Sequence, residues 1–351
     1  MNNKEMKKMA IKASVFALIS ISVMLHRAAT KQIMITDAAV APVDVEVSES
    51  TYPMLVDRKV PVGKENTLII PLSKSVHSDN IVLEDVYADH ELKIYIDSLE
   101  PDFYKSNPVR TDLNILKSAT CTAANASGKV CLSFKLDGLY ANESSLAESN
   151  TIEVKFYAPS DRYDHIVVVD SRAGGNDNGV ATSSLSEKDV TLKTALLLKS
   201  IADNDSENGI KFYFTRLSDL SVDQEERIGL ISESGADLVV EISVEAAKSS
   251  KISGLSAYYN DIFFKRTLTN ADLADKLLRN CALKTGAQGL GIYPMGDMDF
   301  LLKESVVPSA RLVIGYLPGD SDMDRLSSEA YMKKVAEGIY AGILEAYEVM
   351  K

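Results

Sequence analysis

Tryptophan is absent from this 351-residue chain, histidine occurs four times and cysteine three times. Without Trp, any stacking on a sugar ring has to come from Tyr or Phe. Three cysteines, with no Cys-x-x-Cys and no Cys/His cluster, argue against a structural zinc site. Positive charge is also in deficit: 38 Lys and Arg stand against 50 Asp and Glu, a formal net charge of -12. That balance argues against nucleic-acid binding, which needs a basic face, and offers little attraction to anionic lipid. No internal repeat is evident. What is present is an ordinary globular composition, 46% apolar and 25% charged, in a chain long enough for two or three domains.

Long apolar runs are scarce, and the one that stands out opens the chain. Lys4, Lys7, Lys8 and Lys12 lead into "ASVFALISISVML" (13–25), followed by His26 and Arg27. A positive flank, a short apolar core and then a polar chain is the pattern of a secretory signal. The run is shorter than the roughly 20 residues that span a bilayer, and "HRAAT" puts a charge where cleavage wants small residues. Extension through Ala28 and Ala29 makes an uncleaved anchor. Residues 1–30 are read as a signal peptide or signal anchor, a membrane contact through the N-terminal segment. The body is expected to be extracytoplasmic, membrane-anchored or secreted, and the polar residues 31–60 a linker.

Residues 61–160 alternate with period two between turns, as in "NTLIIPL", "ELKIYID", "KVCLSFKLDG" and "NTIEVKFYAP". Such segments predict a small all-β sandwich-like domain. Cys121 and Cys131 flank "TAANASGKV", a strand-turn-strand pattern compatible with a disulfide or with two free thiols. His77 and His90 are far apart in sequence and read as surface residues. No catalytic cluster stands out here.

From residue 161 to 351 the rhythm changes to strands alternating with helical stretches. Strand "HIVVVD" is followed by "SEKDVTLKTALLLKSIADN", with Ser186 as N-cap and Leu192, Ala195, Leu196 and Lys199 at helical spacing. Strands "IKFYFTR", "ADLVVEISVEA" and "SARLVIGYL" alternate with further helices. Cys281, within one of them, reads as packing. The fold class is α/β, a mostly parallel sheet flanked by helices, preceded by the sandwich-like domain and the N-terminal apolar segment.

Strand ends that open into glycine loops are where α/β proteins keep their chemistry, and "VVVDSRAGGNDNG" (167–179) is such an end. Yet Ala173, which the turn presents, can neither bind a metal nor move a proton. Asp170 and Asp177 read as loop-capping side chains.

Residues 163–347 resemble the zinc-dependent N-acetylmuramoyl-L-alanine amidases. "IVVVDSRAGGNDNG" stands where that family has a strand, an Asp-Pro-Gly-His-Gly-Gly turn and a Gly-x-Asp-x-Gly loop. "SEKDVTL" matches its Glu-Lys-Asp-Val helix start. "FTRLSDLSVDQEERIGLISESGADLVVEIS" follows its Thr-Arg, Asp, Arg and Ala-Asp stretch, which ends in Ser-Ile-His. "VPSARLVIGYL" and "MKKVAEGIYAGI" match the last strand and helix. The β-rich segment takes the place of the family's accessory wall-targeting domains.

The resemblance implies a zinc ion held by two histidines and a glutamate, with a second glutamate relaying a proton. Here the histidine positions are Ala173 and Ser243, the ligand glutamate is retained as Glu187, and the proton-relay position is Val313. Groups the family's scaffold needs are kept: Gly174, Gly175, Arg216, Asp219, Arg227 and Gly315. His165 begins the strand that ends at Asp170, well over ~10 Å from the turn in an extended run. Glu241 and Glu245 alternate with Ser243 along one strand, a set of substitute carboxylates suited to a hard ion such as calcium or magnesium; their other reading is a solvated strand end. Gly289, Gly291 and "YPMGDMD" (293–299) are placed on the cleft rim by the family's order of elements.

The expectation is a lost chemistry on a kept frame: a catalytically inactive, amidase-like envelope protein with no cofactor, binding peptidoglycan peptide or an envelope protein. An active peptidoglycan amidase with a rearranged metal site and a purely structural envelope protein are the alternatives. Metal content, release of L-alanine amino groups and retention on insoluble peptidoglycan separate them.

Overall fold

The computed structural model describes residues 34–37, 49–97, 100–124, 129–147, 149–205, 208–249, 251–261 and 267–350. The lysine-led leader lies outside the described residues. Among the described residues no helix is long and apolar enough to cross a membrane. They fall into two units, one ending at Tyr157 and the other beginning at Ala158.

The first unit contains strands β1 (Met34–Asp37), β2 (Glu49–Pro53), β3 (Val56–Asp57), β4 (Thr67–Pro71), β5 (Ile81–Val86), β6 (Glu91–Asp97), β7 (Val109–Arg110), β8 (Leu116–Ala124), β9 (Lys129–Leu136), β10 (Ala141–Ala147) and β11 (Thr151–Tyr157). They form two sheets, ordered β1-β5-β6-β9-β8-β2 and β10-β11-β4-β7-β3. Leu83, Ile94, Leu132 and Phe134 of the first sheet meet Leu68, Ile70, Ile152 and Val154 of the second in one buried cluster. Alternation puts these side chains on the inner faces. Each contributes roughly 1.5–3 kcal/mol by leaving water.

Two expectations change here. Residues 49–57 belong to the sheets instead of a linker: β2 pairs antiparallel with β8, and β3 parallel with β7. Edge strands pair through backbone groups, so polar side chains do not forbid them. The disulfide reading also falls. Cys121 lies opposite Leu132, and Thr122 opposite Cys131. Cys121 therefore shares the buried face of Leu132 while Cys131 sits on the other face, and all three cysteines are free thiols.

The second unit is built on β12 (His165–Ser171), β13 (Ile210–Phe214), β14 (Leu238–Ala246), β15 (Leu255–Tyr259), β16 (Gly289–Pro294) and β17 (Ser309–Leu317), in the order β13-β12-β14-β17-β15-β16. Neighbours run parallel, except that β15 is antiparallel to β17. One sheet face carries Val167, Val169, Val240, Ile242, Leu312 and Ile314. It packs against helices Glu187–Asn204, Asn270–Thr285 and Glu329–Met350. Cys281 is packed there as expected: a Cβ on Gly338 would lie 2.6 Å from its Cα, so the last two of these helices cross in close contact. The opposite sheet face carries Asp170, Glu241, Ser243, Arg311 and Val313, and helix Gln224–Ser234 lies on that side.

Ser186 caps helix Glu187–Asn204, its Oγ accepting from the Asp189 N–H at 3.4 Å. The buried stripe of this helix is Thr191, Thr194, Ala195 and Leu198, joined by the nearly buried Lys199, in place of Leu192 and Leu196. Threonine tolerates burial because its hydroxyl finds local acceptors: Thr191 Oγ1 donates to Arg172 O at 2.8 Å and Thr194 Oγ1 to Val190 O at 2.8 Å.

Candidate functional site

The turn after β12 is built for close approach. Ala173 has φ +63° and is buried, and Gly174 has φ +138°. Gly174 and Asp177 exchange backbone hydrogen bonds of 2.9 and 3.0 Å. A Cβ on Gly174 would stand 2.3 Å from Leu220 O, so only glycine fits there. Asp177 Oδ1 accepts from Gly179 N at 2.8 Å and does cap the loop. Asp170 does not. It is buried, ion-paired with Arg227, and accepts from Thr215 Oγ1 at 2.7 Å. A carboxylate inside a sheet needs such partners.

Arg216 holds the turn from beneath, donating from Nε to Ser171 O at 2.9 Å and from Nη2 to Lys188 O at 2.8 Å. Burial lowers its pKa. Asp219 accepts from Gly175 N at 2.8 Å and from Lys188 Nζ at 2.9 Å. The Lys188 bond, with the backbone bond, holds its carboxyl below the usual carboxylate range. Gly315 faces Leu326, whose Cδ1 would lie 2.8 Å from an added Cβ.

Glu187, at the first turn of its helix, is buried. Its Oε2 accepts from Val180 N at 3.0 Å and its Oε1 from Val244 N at 3.1 Å. Burial raises its pKa, and the two backbone donors oppose that rise. Ser243, next to Val244, is fully buried and its Oγ has no hydrogen-bond partner. Across the sheet Ser243 pairs with Val313, and Val313 with Ser256. Ser256 Oγ and Tyr316 Oη lie 2.6 Å apart.

These residues do not fit the family's zinc. A methyl at 173, an un-ionised hydroxyl at 243 and one carboxylate already engaged with two backbone donors do not make a tetrahedral N/O site. Val313 offers no proton carrier. Among the described residues no group of three or more His, Cys, Asp or Glu is disposed to hold a metal ion. His165 stacks on Tyr347 with ring centroids 4.1 Å apart, at the far end of β12 from the turn; His77 and His90 lie in the first unit, and His26 lies outside the described residues.

The carboxylates read as possible substitutes are engaged elsewhere. Arg311 clasps Glu241 with two bonds, Nε to Oε2 at 2.9 Å and Nη2 to Oε1 at 3.2 Å, and its Nη1 is 3.4 Å from Glu245 Oε1. Arg311 also pairs with Asp299. Arg172 approaches Glu241 at 3.8 Å and Glu245 at 3.6 Å. Burial pushes Glu241 up, and the Arg311 charge pulls it down. Glu241 and Glu245 do share a face with Ser243, but that face is filled by guanidinium groups. Sequence reasoning missed both arginines. An arginine at the third position of the buried strand "SARLVIGYL" is the available signal, because such a charge must have a partner.

Of the segment placed on the rim, Asp299 reaches this network, and its Oδ1 caps helix Phe300–Glu304 by accepting from Leu302 N at 2.9 Å. Gly289, Gly291 and Tyr293 lie on β16, one of the two edge strands, where Tyr293 donates to Leu290 O at 2.6 Å and tilts against Tyr258.

A family model described as N-acetylmuramoyl-L-alanine amidase matches residues 167–345. The germination-specific N-acetylmuramoyl-L-alanine amidase of Bacillus subtilis (strain 168) is 30% identical over 198 residues, covering 52% of this chain and 79% of that protein. The uncharacterized protein YqiI of the same organism is 30% identical over 186 residues, covering 52% and 84%. The solved catalytic domain of CwlV, an N-acetylmuramoyl-L-alanine amidase from Bacillus(Paenibacillus) polymyxa var. colistinus, is 26% identical with a TM-score of 0.48, covering 53% of this chain and 99% of that one. With the family model spanning half of its length, the chain belongs to the N-acetylmuramoyl-L-alanine amidase family.

Proposed function

We propose that this family member is non-hydrolytic and serves the cell envelope by binding peptidoglycan peptide or an envelope protein. One observation carries the reading. Glu187 spends both carboxylate oxygens on the backbone N–H groups of Val180 and Val244, while Ala173, Ser243 and Val313 bring neither metal ligand nor proton carrier. Without a Lewis acid and an acidified water, several kcal/mol of transition-state stabilisation are missing. Arg216 and Asp219 keep hydrogen bonds to the backbone of the turn, which supports a domain retained for its surface. The leader supports an extracytoplasmic place, with residues 1–30 as signal peptide or membrane anchor.

The test is made on the full chain. After zinc loading and desalting, elemental analysis is expected to find no retained zinc. Incubation with peptidoglycan is expected to release no L-alanine amino groups, and the protein is expected to sediment with insoluble peptidoglycan or to capture an envelope protein. Near-stoichiometric zinc with amine release would establish an active amidase with a rearranged site. Neither binding nor release would leave a purely structural envelope protein.

A further inference from the structure

Arg172 follows β12 directly and precedes Ala173. Its guanidinium reaches β14, with Nε 3.8 Å from Glu241 Oε1 and Nη1 3.6 Å from Glu245 Oε1. Glu241 and Glu245 lie two residues to either side of Ser243 in that strand, with a register shift against β17 between Ser243 and Glu245, and the half-exposed Arg172 reaches both glutamates. From β17, Arg311 closes on the same two glutamates and on Asp299. Two guanidinium groups and three carboxylates thereby join the end of β12, β14, β17 and the segment after β16. Between these two glutamates in the strand, the Ser243 hydroxyl stays buried without a hydrogen-bond partner.

We propose that Arg172 is a guanidinium plug: paired with the glutamates on either side of Ser243, it supplies beside that position the positive charge that a metal would bring, and it keeps zinc out independently of the lost histidines. The plug rests on the non-hydrolytic reading above in taking 173, 187 and 243 as the ligand positions. A guanidinium keeps its proton throughout the working pH range. Its charge therefore stands beside two carboxylates, Glu241 and Glu245, that would otherwise draw in a cation. A divalent ion arriving at Ser243 would meet that charge and would have to displace the guanidinium from both glutamates.

The test compares two full-length variants. Ala173→His with Ser243→His supplies two histidines beside Glu187, and the second variant adds Arg172→Gly. Zinc affinity is measured by competition with a chromophoric chelator, with circular dichroism confirming the fold. The variant lacking Arg172 is expected to bind zinc about 10- to 100-fold more tightly, the range that neighbours of a metal site command. Equal affinities overturn the plug. If these variants fail to fold, thermal midpoints of Ser243→His with and without Arg172→Gly decide. The plug requires Arg172→Gly to raise the midpoint of Ser243→His while it lowers that of the parent; additive effects overturn it. The two readings fail separately. Hydrolysis by the unmodified chain without bound zinc overturns the non-hydrolytic reading and leaves the affinity ratio standing, whereas equal affinities with an inert parent overturn the plug alone.

Discussion

Glu187 and Val244 are joined by a 3.1 Å hydrogen bond from the strand N–H to the helix-borne carboxylate. Glu187 is thereby a staple between β14 and the loop at Val180. Its folded pKa lies above the ordinary 4.5 because of burial, so the native state binds the extra proton. The stability it contributes is full below the unfolded value and is lost as pH rises through the raised folded value. Glu187→Gln does not titrate. The urea midpoint of the parent is therefore expected to fall relative to Glu187→Gln as pH is raised from below 4.5 towards neutrality. A gap moving the other way would mean that the two backbone donors outweigh burial.

Arg311 is 5% exposed and bonds Glu241 and Asp299, both buried. Arg311→Leu would leave those two carboxylates without their cation. Breaking a buried pair from one side costs about 3–5 kcal/mol. The expected outcome is a loss of that size in chemical denaturation at neutral pH, shrinking in acid as the stranded carboxylates take up protons. A loss below about 1 kcal/mol, the worth of an exposed pair, would show that the network is solvated.

Two glycines separate backbone strain from close approach. Gly286 has φ +71° and nothing within 4 Å of an added Cβ, whereas Gly179 has φ +61° and would place Cβ 2.2 Å from Glu187 Oε2. Gly286→Ala should cost roughly 1 kcal/mol, as left-handed strain alone does. Gly179→Ala carries the same strain and also displaces the Glu187 staple, so its thermal midpoint should fall distinctly further. Equal effects would remove the staple's claim to rigidity.

The α/β order was legible because strands buried on both faces read as apolar runs such as "HIVVVD", and because Ser186 and the glycines act on backbone close to them in sequence. The sandwich was legible from period-two alternation, as in β9. Residues 49–57 were not, because β2 and β3 are held by ladder bonds that their side chains do not announce. At the site, the glycine turn stood in the sequence, whereas the roles of positions 173, 243 and 313 rest on the resemblance alone. Asp170 was misread as a loop cap because its partner Arg227 is 57 residues away. The arginine network was illegible for the same reason: Arg311 and Glu241 are 70 residues apart and meet only because β14 and β17 pair.

The cysteines supply the last expectation. In an extracytoplasmic protein a pair as close in sequence as Cys121 and Cys131 would ordinarily be oxidised, yet they point to opposite faces of the β8–β9 ladder. Adjacent strands cannot bring such side chains within bonding distance without turning one strand over, which would expose the core face carrying Leu132 and Phe134. Titration of the unreduced, denatured chain with a thiol reagent should therefore find three thiols per molecule, matching the three cysteines. In the native protein all three should react slowly at neutral pH. Burial holds Cys131 up to about 11 and raises Cys121 and Cys281 as well, so little thiolate is present. One thiol in place of three would mean that the hairpin register differs from the one described, and with it the division between the inner and outer faces of the sandwich.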